Sequence, residues 1–501
     1  MAQNTPNFNT EIPAKLITPD RVPTRLGTLE FFDGMPTEAT ASKVLEHLTF
    51  LRGVEAFLSA IPAASVEALR AGLEGFGVTA ANKVVIWDDL MDSSSLFLTG
   101  NTDTVYAVAV LDLGRDGPAV VEIPPGCGPG TVDDAWFRFV IDMGAPGPDR
   151  GKGGKYLILP PGYDGEVPDG YFTARSPSYV NLIALRGFLV DGKTDAASHM
   201  FRDGVKIYPY DRRDDPPAME FINGSGQSFN TIHASNAEFY DEVHTVTDRE
   251  PVGLIDPETQ GLLASIGIRK GKPFTPDERL REILTDAAAV GNATARAVFF
   301  NTADADNYLY EGSYWKRGFY GGNYQFLLDG QDGVRNLDAR TAVFYMATLN
   351  TPAMTAKMVG LGSQYAWGDR DSTGNYLDGA KNYRLRIPAD APVANFWSFV
   401  VYDPQTRSEL QTGQPYPSKN SAKGELTPNP DGSVDLYFGP RPPEGFESNW
   451  IQTVPGKGWF SLLRLYGPLD PWFDKTWRPC EIELVPDSTS RRPERAVTED
   501  R

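Results

Sequence analysis

Hydrophobic spacing along the chain changes period several times, and each change marks a different kind of element. Residues 1 to about 35 are polar and punctuated by proline, and read as an arm laid over a neighbouring surface or left free. From Thr37, Val44, Leu45, Leu48, Leu51, Val54, Phe57 and Leu58 recur at steps of three and four, the mark of an amphipathic helix. Pro62 is expected to end it, with a second helix from about Ser65 to Leu73 completing a helical hairpin before Gly75 and Gly77. From Val84 the texture becomes that of strands: KVVIWDDL, SSLFL, TVYAVAVLDL, PAVVEIP, WFRFVIDM, KYLILPP and YVNLIALRGFLV are short apolar or alternating runs bounded by Gly, Pro, Asp or Asn. No helical period interrupts them, so they predict an antiparallel sandwich or barrel over about 80–212.

The middle of the chain reverts to helix. DDPPAMEFINGSGQS reads as a linker, ASNAEFYDEVHTV as a short helix, and Thr275 with Pro276 and Glu278 as a capping box opening a longer one with a stripe of Leu280, Ile283, Leu284, Ala287 and Ala288. A further helix is expected over about Leu337–Leu349, after an aromatic segment from Tyr308 to Phe326. Three runs rich in aromatic and β-branched residues then follow from Asn395 to Trp472, separated by Asp-Pro, Pro-Asp-Gly and Pro-Gly-Lys-Gly turns. The pattern as a whole predicts an α+β protein: an arm and helical hairpin at 1–79, a first β-sandwich domain at 80–212, a linker and helical segment at 213–379, a second β-sandwich or jelly-roll domain at 380–486, and a disordered tail at 487–501.

Composition narrows what such a protein could meet. Its 501 residues suggest two to four domains at about 150 residues each. The 47 basic and 66 acidic side chains give a net charge of −19, a field that repels phosphate backbones, so nucleic acid and anionic membrane surfaces are not expected partners. Cys127 and Cys480 are the two cysteines, too few for a disulfide framework, although one long-range bond between them stays open. The start of the chain lacks a basic segment followed by an apolar one, and no run of about 18 apolar residues occurs. The expected location is therefore cytoplasmic as the sequence stands, or periplasmic or secreted if a signal has been removed.

Candidate chemistry lies in polar residues set among apolar ones. In NTDTVY, Asn101, Asp103 and Val105 share one face of a regular strand, with Thr104 and Tyr106 on the other. Asp103 in such a segment needs a partner, for which Arg138, Arg186 and Arg464 are the natural choices, or else the Asn-Thr-Asp unit is a turn that caps its own backbone. Arg464 and Tyr466 share a strand face in LLRLYG, either toward solvent or into a pocket, with Trp397, Asn449 and Tyr383 as neighbouring substrate contacts. Asp369, Asp371, Thr373, Gly374 and Asp378 resemble the front of a calcium loop, but Ala380 stands where the closing glutamate belongs, so the competing reading is a polar turn. No cofactor is expected beyond that calcium ion. His47, His199, His233 and His244 have no zinc or iron spacing, and neither a GxSxG nucleophile nor a nucleotide-binding glycine loop is present. Catalysis would then rest on a carboxylate raised by burial, with Arg or Tyr holding an oxyanion, from a shortlist of Asp103, Asp142, Asp371, Asp378, Tyr106, Tyr383 and Arg464.

Several segments carry a resemblance. NTDTVYAVAVLDL with PAVVEIPP, then NFWSFVVYDPQTRSEL, PNPDGSVDLYFGPRPP and ESNWIQTVPGKGWFSLLRLYGPLDPWFDKTW, resemble the bacterial family that pairs the domain of unknown function 1254, here about 75–212, with the domain of unknown function 1214, here about 380–485. The resemblance implies two β-sandwich or jelly-roll parts joined by helices. Many members carry an export signal, which this sequence as it stands lacks, so the resemblance leaves the location open, and it implies no activity. Two functions stay open. One is an enzyme, a hydrolase or acid/base catalyst acting on a small oxygenated or polymer-derived substrate in an aromatic-lined cleft between the β domains, with Asp103, Tyr106, Arg464 and Tyr466 as its catalytic groups and Asn101 beside them. The other is a non-catalytic ligand-binding protein or a homo-oligomeric assembly module, with the tryptophans as its interface.

Overall fold

The computed structural model describes residues 10–328 and 333–486; the tail expected at 487–501 lies outside them. The class is α+β, with several mostly antiparallel sheets, none of them closed. Two six-stranded sheets form the frame. The N-terminal one runs in the order Glu220–Asn223, Lys83–Ile86, Thr104–Asp112, Val180–Phe188, Gly130–Asp134, Phe139–Met143. The C-terminal one runs Lys316–Arg317, Ser363–Gly368, Gly458–Pro468, Val393–Tyr402, Ser418–Asn420, with Leu377–Asp378 paired to the end of Gly458–Pro468. Each is accompanied by a four-stranded sheet, one built on Ala119–Ile123 and Gly154–Leu159, the other on Asn382–Ile387 and Val434–Gly439.

Side-chain alternation explains how the layers stack. Along Thr104–Asp112, Val105, Ala107, Ala109 and Leu111 join a core shared with the four-stranded sheet, whereas Tyr106 and Val108 face the helices. Along Gly458–Pro468, Trp459, Leu463 and Leu465 enter the core shared with the other four-stranded sheet, whereas Phe460 and Leu462 face the helices. A single apolar core therefore contains the helices and one face of both six-stranded sheets. Helices Glu38–Gly75, Phe239–Arg249, Glu278–Phe300 and Leu337–Met346 supply most of that layer.

Two expectations about helices are corrected. The hairpin expected over 37–73 is one helix of 38 residues, Glu38–Gly75, with Pro62 inside it. An interior proline costs about 3 kcal/mol or more, but Ala60, Ile61, Ala63, Ala64 and Val66 around it are all buried, and the packing of this small-residue stretch against the helical layer overrides the break. By length and composition this helix could cross a membrane, yet 72% of the relevant window is buried in the protein. The helix expected to open at Thr275 starts at Glu278, because Asp277, not Thr275, accepts the capping hydrogen bond from the Leu280 N–H (2.8 Å). The stretch read as a linker contributes the strand Glu220–Asn223, which pairs in parallel with Lys83–Ile86. Cys127 and Cys480 are both free thiols.

The helical layer buries carboxyls in unfavourable surroundings. Glu242, on Phe239–Arg249, is pushed up to about 8 by burial, only partly offset by the Ala234 N–H that it accepts at 3.0 Å. Between its ordinary value of 4.5 and about 8, the folded state holds a proton that the unfolded chain has released, so this group makes stability fall as pH rises through that window. Glu242→Gln should therefore raise the melting temperature at about pH 8.5 and leave it nearly unchanged near pH 4.5. Melting curves of the two proteins that stay parallel across this range would refute the assignment.

Candidate functional site

The turn Thr99–Asp103 enters strand Thr104–Asp112 and closes on itself. The Asn101 side-chain oxygen accepts the N–H groups of Asp103 (2.9 Å) and Thr104 (3.0 Å) and the Thr104 hydroxyl (3.0 Å). That is the self-capping turn which short polar residues favour. Its amide nitrogen donates to the Tyr106 hydroxyl at 2.5 Å. The C-terminal sheet then grips the turn from the other side. Arg464 Nη2 donates to the carbonyls of Thr99 (2.8 Å) and Gly100 (3.1 Å), and the Tyr402 hydroxyl donates to Gly100 (2.6 Å). Asp103 accepts from Asn420 Nδ2 at 2.9 Å and from the Tyr466 hydroxyl at 3.4 Å.

Beside this seam lie two adjoining cavities that share Arg186, Leu349, Met354 and Tyr365 as walls. The outer one, about 110 Å³, adds Thr131, Asp142, Phe188, Thr351, Met358 and Tyr466. The inner one, about 70 Å³, adds Asn101, Tyr106 and Arg464 among apolar side chains. Strand register explains how the polar groups come together. Arg186 lies directly across from Tyr106 in the N-terminal sheet, and Tyr365 directly across from Arg464 in the C-terminal sheet. Each sheet thus offers one arginine and one tyrosine as a cross-strand pair on the face turned toward the other.

The electrostatics of these groups are uneven. Arg186 forms no ion pair among the described residues; its neighbours in charge and hydrogen bonding are the hydroxyls of Tyr365, Tyr106 and Tyr466. Tyr365 and Arg186 both line the two cavities, so the guanidinium and this hydroxyl share one wall. The Tyr106 oxygen accepts from Asn101, which leaves its O–H to donate elsewhere. Burial pushes the hydroxyls of Tyr106 and Tyr466 above the ordinary tyrosine range, so both are neutral donors at neutral pH. Asp142 accepts from the Thr351 hydroxyl at 2.8 Å through one oxygen, and its other oxygen has no partner. Burial pushes its carboxyl up to about 6, against the opposing pull of the Thr351 and Thr131 hydroxyls and of the Arg186 charge.

Several expected site residues meet here and others do not. Asn101, Tyr106, Arg464 and Tyr466 line the cavities, whereas Asp103 lines neither and instead joins the two sheets from behind. None of the three arginines offered as its partner forms an ion pair with it: Arg138 pairs with Asp134, Arg464 binds backbone carbonyls and Arg186 faces tyrosines. Trp397 is buried in the sheet-to-sheet core. The Tyr383 hydroxyl accepts the Asp378 N–H at 3.0 Å, and Asn449 clamps the carbonyls of Thr427 (2.8 Å) and Asp435 (2.9 Å). These three hold the C-terminal half together, and neither they nor Trp450, Trp459 and Trp472 line the cavities. The stretch offered as a calcium loop forms polar turns. Asp369 pairs with buried Lys316 at 2.7 Å, Asp371 accepts from Thr373 and Asn375 within its own turn, and Asp378 caps Ala380. Among the described residues no three acidic, histidine or cysteine side chains are grouped to hold a metal ion. Of the groups that do line the site, Arg186 had a signal in sequence, as the lone charge in LIALRGFLV, while Tyr365 and Thr351 had none.

Two family models match parts of the chain. Residues 81–209 match the family model described as protein of unknown function DUF1254, and residues 362–470 match protein of unknown function DUF1214, in the expected order along the chain. No curated protein matches the sequence. The crystal structure of the VPA0106 protein from Vibrio parahaemolyticus aligns with 87% of this chain and 100% of its own, at 18% identity and a TM-score of 0.53, which shows a shared fold. A crystal structure of an uncharacterized protein from Burkholderia cenocepacia covers 89% of this chain and 97% of its own, at 12% identity and a TM-score of 0.39.

The seam can be tested through Asn420. Asn420→Ala leaves one oxygen of buried Asp103 without its donor, which should destabilise the protein by about 1–3 kcal/mol in denaturant unfolding. A variant within about 0.5 kcal/mol of the wild type would show that this hydrogen bond does not hold the two sheets together.

Proposed function

We propose that this chain, in which DUF1254 is followed by DUF1214, is an enzyme performing hydrolytic or acid/base chemistry on a small oxygenated or polymer-derived organic substrate bound in the outer cavity between the two six-stranded sheets. The observation that carries the reading is that Arg186, which makes no ion pair among the described residues, and the Tyr365 hydroxyl share a cavity wall with an Asp142 carboxyl that burial pushes up to about 6. A carboxylate of that basicity is mostly ionised at neutral pH yet a better proton acceptor than an ordinary aspartate. It would take a proton from water or from the substrate carbon, while Arg186 and Tyr365 receive the negative charge that develops on oxygen, and the proton would return to the leaving group or product. Thr351 holds the carboxylate in place through its oxygen Oδ2, and oxygen Oδ1 is left for the proton. In the same reading each six-stranded sheet and its four-stranded companion make one sandwich, and the reacting group sits where the two sandwiches face each other.

A second reading, assembly, has one observation in its favour. Leu45, Leu48 and Leu51 on the first half of helix Glu38–Gly75, with Phe32 and Met35 in the small sheet before it, are exposed at 38–74%. Sedimentation equilibrium should show a homo-oligomer that Leu45→Glu with Leu51→Glu dissociates; a monomer at all concentrations removes this reading.

For the enzyme, the test is incubation with a panel of small esters, lactones, hydroxy acids and oxo acids in D₂O, followed by proton NMR. Hydrolysis or deuterium exchange should appear with an acid limb near pH 6, because Asp142 must be ionised to act, and should fall by about 100-fold or more in Asp142→Asn. Since the raised value means that burial disfavours the charged carboxylate, the same variant should melt higher than the wild type at neutral pH. A turnover that survives the substitution unchanged rules Asp142 out as the base.

A further inference from the structure

The inner chamber holds a group that chemistry at Asp142 leaves unused. Its walls are apolar, formed by Phe97, Phe319, Val343, Trp367 and Leu462 among others, and into them is set Arg464, 4% exposed. Nη2 of Arg464 is taken by the carbonyls of Thr99 and Gly100, but Nη1 is buried without any partner. A buried guanidinium with an unused donor is unfavourable unless something arrives to accept from it. The nearby acids do not fill that role. Asp103 is occupied by Asn420 and Tyr466, and Glu409, its carboxyl pushed well above its ordinary range by burial, makes no hydrogen bond through either oxygen. The Tyr106 hydroxyl, its oxygen already accepting from Asn101, also has a proton to give inside this chamber, and Arg186 stands at the boundary with the outer cavity.

We infer that the inner chamber is a carboxylate pocket, in which Arg464 Nη1 and the Tyr106 hydroxyl hold the acid group of a small carboxylic acid whose reacting carbon lies in the outer cavity beside Asp142. The last clause rests on the acid/base reading of the outer cavity; the pocket itself does not. The size agrees: at about 10–15 Å³ per water, a chamber of about 70 Å³ holds a few waters or one carboxylate with an adjoining carbon. The chemistry agrees as well, since a carboxylate is the acceptor that best satisfies a guanidinium in apolar surroundings. The apolar walls limit what may accompany it to a short, unbranched substituent.

Acetate and formate are the probes. Titrated into the full chain and followed by calorimetry, acetate should bind saturably at one site and raise the melting temperature. Tyr106→Phe should weaken it about ten-fold, the loss of one charge-assisted hydrogen bond, while circular dichroism checks that the variant folds. Ala347→Leu, which adds bulk at the chamber wall, should abolish acetate binding and spare formate more. Asp142→Asn should leave acetate affinity within about two-fold. No saturable binding, or binding that both Tyr106→Phe and Ala347→Leu leave intact, overturns the pocket. Failure of the acid/base reading is seen separately, as turnover that persists in Asp142→Asn while acetate behaves as described.

Discussion

Arg464 is the residue on which the arrangement depends. It reaches across 365 residues of sequence to hold the Thr99 carbonyl, and the turn that it holds is the entry to the central strand of the other sheet. Donating to two backbone carbonyls from a buried guanidinium sets the distance between the sheets more tightly than apolar packing would, because hydrogen bonds to a charged donor are short and directional. Thr99 adopts a positive φ of 45°, and a Cβ at Gly100 would approach Met91 Sδ to 2.8 Å. The turn is therefore shaped so that its carbonyls, not its side chains, face the arginine. The Tyr402, Asn420 and Tyr466 contacts follow from that register.

With the sheets fixed in this way, the cavity is what their facing polar pairs leave between them. The shared apolar core ends where Leu462 gives way, two and four residues on along its strand, to Arg464 and Tyr466, and where Tyr106 meets Arg186 across from it. Period-two alternation that buries leucine and valine lower down delivers arginine and tyrosine to the same face higher up. Fixing donors on strands of two rigid sheets, with Asp142 on an edge strand beside them, gives a preorganised polar lining in water-poor surroundings, where each such contact counts for more than at a surface.

Much of the frame was legible in the sequence because it rests on local periodicity. The strand runs from KVVIWDDL to YVNLIALRGFLV and the C-terminal runs are strands, and the four long helices fall where the period is near 3.6. Errors arose where tertiary packing overrode a local signal. Pro62 did not end its helix because its neighbours are buried on all sides, and Glu220–Asn223 became a strand because an edge was open to it. The site was legible in part: Tyr106, Arg464 and Tyr466 stood out as polar residues in apolar strands. Asp103 did too, but being buried and polar does not say on which side of a seam a carboxylate lies. Thr351 and Tyr365 were invisible because nothing local distinguishes a threonine in a loop or a tyrosine on a strand that will meet a distant cavity. The aspartates of the 369–378 stretch had the right spacing for a cation, but spacing does not reveal that Lys316 has taken one of them.

The grip of Arg464 on a backbone turn joins the two segments that the family models match. A polypeptide ending before the second family begins would leave the carbonyls of Thr99 and Gly100 and the carboxylate of Asp103 without their donors. One beginning there would open a buried guanidinium and the apolar face of Phe460 and Leu462 to water. The helices between them complete a core to which both contribute. Neither segment is a portable module that could be lifted out and joined to another partner. They make a single physical unit, in which a change on one side of the seam alters the surroundings of the residues that meet it on the other.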